Sequence, residues 1–166
     1  MQIINYFDYD DKTSILSQLE KLQGEWRAIG FLLSLLKEGT FHEKLGNEAL
    51  FILLDEERLT DGRPSVASFA TFCDRDEVIS ELRPWIGFVF TAPAYRGWRL
   101  AGKIIEHCMK VAETAYPESE YVYVSTDEEG LYEKYGFDFF EKMKTGWGEE
   151  SRVYRRKINA DSDATT

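Results

Sequence analysis

Cysteine is scarce in this chain: two residues, Cys73 and Cys108, among 166. They form no Cys-x-x-Cys pair and stand at no metal-ligand spacing. The sequence therefore offers neither a disulfide framework nor a zinc site, and no metal is expected. Cys73 falls in an apolar, strand-like run and Cys108 on the apolar face of a helical pattern, so both read as buried, reduced thiols. A long apolar run is missing as well. Residues 1–8 have no basic region and no hydrophobic stretch, which argues against a signal peptide or a membrane span and makes the cytoplasm the expected location. Basic residues are in the minority, 20 against 30 acidic ones, for a formal charge of −10. A polyanion of this sign is repelled by nucleic-acid backbones and anionic membranes, so neither is an expected partner. The charge favours solubility first and a cationic substrate second.

What is present is the composition of a packed globule, 43% hydrophobic and 14% aromatic. The length fits one domain. We expect that domain over residues 1–158, with a polar, disordered tail over 159–166. Ile15, Leu19 and Leu22 share one helical face that stops at Gly24. Trp26, Ile29, Leu33 and Leu36 repeat the pattern up to Gly39. Apolar extended runs follow at 50–54, 66–73 and 84–91, the first two separated by the turn signal Asp61-Gly62-Arg63-Pro64. Leu100, Ile104, Cys108, Val111 and Ala115 form a helical stripe that should end before Pro117. Residues 121–124 read as a strand, 129–135 as a short helix capped by Gly136, and 137–143 and 152–156 as two more strands. The order α-α-β-β-β-α-β-α-β-β indicates an α/β (α+β) fold with a mixed sheet covered by helices.

The segment with chemical content runs from Phe90 to Lys103: a strand, a glycine-containing turn, and the start of an amphipathic helix. A helix start leaves backbone N–H groups unpaired and carries partial positive charge, which suits a phosphate. Gly97, Ala101 and Gly102 let a ligand approach the backbone. Arg96, Arg99 and Lys103 place three cations within eight residues of an acidic chain. Neither a P-loop nor a dinucleotide fingerprint is present.

Residues 93–102, Pro-Ala-Tyr-Arg-Gly-Trp-Arg-Leu-Ala-Gly, resemble the coenzyme A pyrophosphate loop of the GNAT superfamily of N-acetyltransferases, Arg/Gln-x-x-Gly-x-Gly/Ala. Arg96 matches the first position and Ala101 the last; Arg99 stands where the family has its middle glycine. Residues 130–137, Gly-Leu-Tyr-Glu-Lys-Tyr-Gly-Phe, are similar to the family's later Tyr-x-x-x-Gly-Phe pattern. The two matches come in the family's order, and the resemblance spans about residues 66–143.

The resemblance implies a mostly antiparallel sheet, splayed between the strand ending near Thr91 and the strand ending near Ser125. It implies acetyl-CoA as co-substrate, with its pantetheine arm lying in the gap as an added strand. The implied coenzyme site comprises Phe90, Thr91, Arg96, Gly97, Trp98, Arg99, Leu100, Ala101, Gly102 and Ser125. The implied reaction is direct attack of a primary amine, on a small molecule or a protein, upon the thioester in a ternary complex, with Tyr132 as general acid to the departing thiolate. Relatives often place a glutamate base where this chain has Trp85. Glu81 is therefore the first candidate base and Asp74 the second, while His42 and His107 read as structural. Trp26, Phe31 and Trp85 are candidates for the acceptor pocket, and the loop carrying Trp147 is placed at its border. An exposed final strand offers an edge for a homodimer. The competing reading is a non-catalytic acyl-CoA sensor on the same fold.

Overall fold

Seven strands form one sheet in the order β1-β2-β3-β4-β5-β7-β6 in the computed structural model, which describes residues 1–47 and 49–159. The strands are β1 (Gln2–Asn5), β2 (Leu50–Thr60), β3 (Arg63–Cys73), β4 (Trp85–Thr91), β5 (Tyr121–Thr126), β6 (Asp138–Lys144) and β7 (Glu150–Lys157). The helices are α1 (Lys12–Leu22), α2 (Arg27–Glu38), α3 (Phe41–Leu45) and α4 (Leu100–Ala115). All neighbouring strands are antiparallel except β4 and β5. This is the mixed, mostly antiparallel sheet expected. Apart from Asn159, the expected tail lies outside the described residues.

Helical periodicity explains α1, α2 and α4. Leu100, Ile104, Ile105, Cys108, Met109 and Ala112 of α4 are buried. Burying a Leu or Ile side chain contributes roughly 1.5–3 kcal/mol, so this stripe fastens α4 to the sheet. Several features differ from expectation. The final strand, β7, is no exposed edge, because it pairs with β5 on one side and β6 on the other. β1 pairs with β2 through Gln2↔Leu54 to Asn5↔Phe51, a partnership far along the chain. β2 continues past Leu54 to Thr60 through exposed charged residues, because it pairs with β3 in a ribbon that bulges between Asp55 and Leu59. The expected helix over 129–135 is a 3-10 turn over Tyr132–Tyr135, closed by Gly136 at φ 83°.

The sheet opens at β4. Parallel pairing with β5 is confined to Trp85↔Tyr123 and Ile86↔Val124. The cause lies on the other side of β4. Thr71 pairs with Gly87 and Phe69 with Phe90, so Ala70 alone faces two residues, Phe88 and Val89. Phe88 adopts φ 48°. One extra residue bends and twists a strand, and here it turns β4 away from β5. A left-handed conformation for a non-glycine residue costs roughly 1–2 kcal/mol. Packing holds it: the Phe88 ring stacks on Phe31 at 6.1 Å and meets Trp26 edge-on at 6.3 Å.

Candidate active site

The loop after β4 is built to present backbone. The 3-10 turn Pro93–Tyr95 is anchored by the Tyr95 hydroxyl, which donates to Asp55 Oδ2 at 2.7 Å. That bond holds the Asp55 carboxyl below its usual range. Arg96, Gly97, Trp98 and Arg99 are exposed. Gly97 has φ 90° and open space where a Cβ would stand. Arg99 is the N-cap of α4, with φ 58° and ψ 33°. It adopts the left-handed backbone that a glycine would supply at this position. No side chain caps α4, and no acidic residue lies in its first turn. The amides of Leu100, Ala101 and Gly102 therefore begin a 16-residue helix with partial positive charge and no carboxylate to answer it.

The open gap meets this helix start in a cleft of about 340 Å³. Val89, Phe90 and Thr91 of β4 form one side, Arg96 and Ala101 the loop side, and Leu131, Tyr132 and Tyr135 the other. Arg96 reaches back, its Nε donating to the Thr91 carbonyl at 3.4 Å and its guanidinium lying 5.9 Å from the Phe90 ring centre. Ser68 donates to the Phe90 carbonyl at 2.7 Å. Gly102 is needed for closeness: a Cβ there would stand 3.3 Å from the Tyr135 ring. Arg156 of β7 clamps the 3-10 turn, donating to the Tyr135 carbonyl at 3.0 Å and pairing with Glu106 of α4.

Tyr132 is 7% exposed, with its ring edge-on to Tyr135 and Phe137. Its hydroxyl makes no hydrogen bond to another described residue. Burial is the main cause that pushes the phenol pKa up, and the nearby charges of Glu128 and Asp76 add to it. Tyr132 is thus a protonated donor at any working pH, beside the gap.

One carboxylate at the gap has no signal in the sequence. Asp76 lies in the charged stretch between β3 and β4. Its Oδ2 accepts from the Ser125 hydroxyl of β5 at 2.7 Å and from the Val78 amide at 3.4 Å. Its Oδ1 stands 3.3 Å from where a Gly87 Cβ would be. It therefore spans β4 and β5 where they part. Burial raises its pKa above the usual carboxylate range, opposed by the Ser125 and Val78 hydrogen bonds. The segment is fixed by backbone bonds to the β6–β7 hairpin: Gly146 donates to Glu77 at 3.0 Å and Ile79 to Lys144 at 3.0 Å.

Several expected residues stand elsewhere. Glu81 is exposed in the loop four residues before β4. Asp74 is occupied at another corner, accepting from Tyr116 Oη at 2.7 Å and from Asn47 Nδ2 at 3.1 Å. The expectation for Trp85 is corrected. Its indole is 1% exposed, donates to the Leu82 carbonyl at 2.6 Å, and packs in a small core with Val78, Tyr123 and Val153. A side chain so enclosed lines no pocket. The Ser125 hydroxyl, expected at the coenzyme, is engaged by Asp76. His107 lies edge-on to Phe51 at 4.6 Å, its pKa lowered by burial, and His42 sits in α3. Trp26 and Phe31 do line the bulge: Trp26 stacks on Phe90 at 5.9 Å and Phe31 on Phe88. Trp147 is 62% exposed in the hairpin turn whose neighbour Gly146 holds Glu77. Among the described residues no group of three His, Cys, Asp or Glu side chains could hold a metal, and no helix is long and apolar enough to cross a membrane.

Comparison with known proteins agrees with this geometry. The model of the acetyltransferase (GNAT) family matches residues 16–137. A search of curated proteins finds no match. Among solved structures, a GNAT-family acetyltransferase of Staphylococcus aureus superposes with a TM-score of 0.61 at 12% identity, covering 95% of this chain and 99% of the other. A putative GNAT acetyltransferase of Desulfovibrio desulfuricans gives 0.63 at 12%, covering 95% and 98%. NAA60 of Arabidopsis thaliana, solved in complex with acetyl-CoA, gives 0.57 at 17%, covering 86% and 95%. At these identities the superpositions speak to the fold.

Proposed function

Since the chain belongs to the acetyltransferase (GNAT) family, we propose that it transfers an acetyl group from acetyl-CoA to a primary amine by direct attack in a ternary complex. One observation carries this reading: β4 leaves β5 after Ile86, and the gap so formed runs into the uncapped start of α4. The residues present fit the co-substrate. The amides from Leu100 to Gly102, with Arg96 and Arg99 beside them, suit a diphosphate. The edge of β4 from Gly87 to Thr91 that faces the gap, no longer paired with β5, suits an extended amide-containing arm added as a strand. Tyr132 gives its proton to the departing sulfur. A thiolate is a far better proton acceptor than water, and a phenol that burial keeps neutral has its proton to give.

Calorimetry with CoA, and with ATP as control, tests the coenzyme site. At 100 times the dissociation constant, binding stabilises the fold by about 2.7 kcal/mol. CoA should bind and raise Tm while ATP does not. Absence of CoA binding overturns the proposal. Thiol release from acetyl-CoA with added amines then separates an enzyme from a coenzyme sensor.

A further inference from the structure

The strand register places Asp76 and the aromatic wall on one face of the sheet. Phe69 and Thr71 lie two apart on β3 and so share a face. Their partners are Phe90 and Gly87, so those two share it as well, although three residues separate them. The bulge makes this possible by absorbing one residue. Trp26 stacks on Phe90 and touches Phe88 from this face. Asp76 lies over Gly87 on the same face, bonded to Ser125. A carboxylate thus stands above one position of β4, and an aromatic surface begins at the next, about 3.3 Å along the strand. Trp26 and Phe31 are 37% and 57% exposed and stack on Phe90 and Phe88, so they form a contiguous apolar surface open to a ligand.

Resting on the reading above, we propose that Asp76 receives the acceptor's ammonium at the gap and takes its proton, while Phe88, Trp26 and Phe31 hold an apolar group carried beside that nitrogen. The acceptor is a primary amine with an aromatic or comparably flat apolar substituent. Charge complementarity supports this choice. The ionisable groups that feel the Asp76 charge are Cys73 and Glu77 in its own segment and Tyr132 in the 3-10 turn, while Asp127 after β5 and Glu149 in the hairpin stand near Glu77. None of these described groups is cationic, so a protonated amine would supply the corner a counter-ion. The step balances as follows. The ammonium gives one proton to the Asp76 carboxylate, which passes it to water. The free nitrogen pair attacks the thioester carbon, and the carbon–sulfur bond breaks with its electrons on sulfur. Sulfur takes the Tyr132 proton, and the second proton lost by nitrogen restores the phenol.

The test uses the full chain with acetyl-CoA at pH 7.5 and four acceptors: 2-phenylethylamine, a peptide beginning with Phe, a peptide beginning with Gly, and spermidine. One or both aromatic amines should exceed the other two at least tenfold in kcat/KM. The two aromatic arms separate a free amine from a chain terminus. Asp76→Asn, which keeps the size and one acceptor oxygen, should lower kcat/KM for the preferred amine about 100-fold and leave CoA affinity within twofold. Its deficit should shrink as pH approaches the amine's own pKa, ~10 for 2-phenylethylamine and ~8 for a chain terminus, since free amine then needs no base. Trp26→Ala should raise KM for the aromatic amine tenfold with little change in kcat. Preference for spermidine or the Gly peptide, or Asp76→Asn within threefold of wild type with the same pH profile, overturns this proposal alone. CoA binding without turnover of any amine also overturns it. Failure of the wild type to bind CoA overturns the preceding reading as well.

Discussion

Tyr132→Phe removes a single oxygen from the candidate site, and the structure fixes what that should do. The ring is 7% exposed and keeps its edge contacts with Tyr135 and Phe137 in the variant. Its hydroxyl has no hydrogen-bond partner among the described residues, so none loses a bond when it goes. Stability should therefore stay within about 0.5 kcal/mol of wild type. The diphosphate would be held by the amides of α4 with Arg96 and Arg99 rather than by this hydroxyl, so CoA affinity should also be preserved. Turnover should not be. A positioned general acid contributes roughly 10²–10⁴-fold, which is about 2.7–5.4 kcal/mol at 1.36 kcal/mol per decade. Thiol release from acetyl-CoA with a saturating amine measures kcat, calorimetry measures CoA affinity, and urea unfolding measures stability. A variant with kcat within threefold of wild type refutes the acid role. A variant that loses CoA affinity and stability together would show that the hydroxyl supports the cleft's shape instead.

Arg99→Gly should raise stability by up to about 1 kcal/mol, because a side chain in the left-handed region is relieved, and should weaken CoA binding several-fold with a shallower salt dependence; tighter CoA binding would show that the guanidinium crowds the loop. Gly87→Ala would set a Cβ 3.0 Å from Thr71 Oγ1 and 3.3 Å from Asp76 Oδ1. It should shift Asp76 and depress turnover while sparing CoA affinity, and unchanged kinetics would remove Asp76 from the site. Burial raises the Asp76 pKa, so the folded chain keeps this proton at pH values where the unfolded chain has lost it. The Asp76 contribution to stability therefore falls as pH rises from about 4 through the folded pKa, and stays at the lower level above it. Asp76→Asn escapes that loss, so urea unfolding should find it more stable than wild type at pH 7.5, with the advantage shrinking toward pH 4; an advantage independent of pH would contradict the buried charge.

Local pattern made part of this molecule legible. The α4 stripe and the glycine-punctuated loop before it are written within a few turns of sequence, and so are α1 and α2. β1 is four residues long and depends on β2, some 45 positions away, so no local signal marks it. The 3-10 turn at Tyr132–Tyr135 was visible as a short helix because Gly136 closes either one. Asp76 could not be singled out. In the sequence it is one acid in Asp74-Arg75-Asp76-Glu77, and its distinction comes from Ser125, 49 residues away, and from a hairpin tip that closes later still. Trp85 invited the opposite error. Its place on a strand near the loop suggested a pocket wall, whereas Val78, Tyr123 and Val153 pack around it and enclose the indole.

The bulge at Phe88–Val89 links these misreadings to the site. In a regular strand Gly87 and Phe90 would face opposite sides of the sheet, and Asp76 and Trp26 would be separated by the sheet itself. A regular β4 would also continue alongside β5 past Ile86 and leave no gap. One additional residue changes both at once. It bends β4 out of the parallel ladder, which makes the opening, and it shifts the alternation, which brings a carboxylate and an aromatic wall to the same side of that opening. The left-handed Phe88 is the cost of that arrangement, and its own ring, clasped by Trp26 and Phe31, is part of the surface the arrangement creates. Strain at this residue and the proposed selectivity for an apolar amine thus have one origin, the stacking of α2 on the bulge.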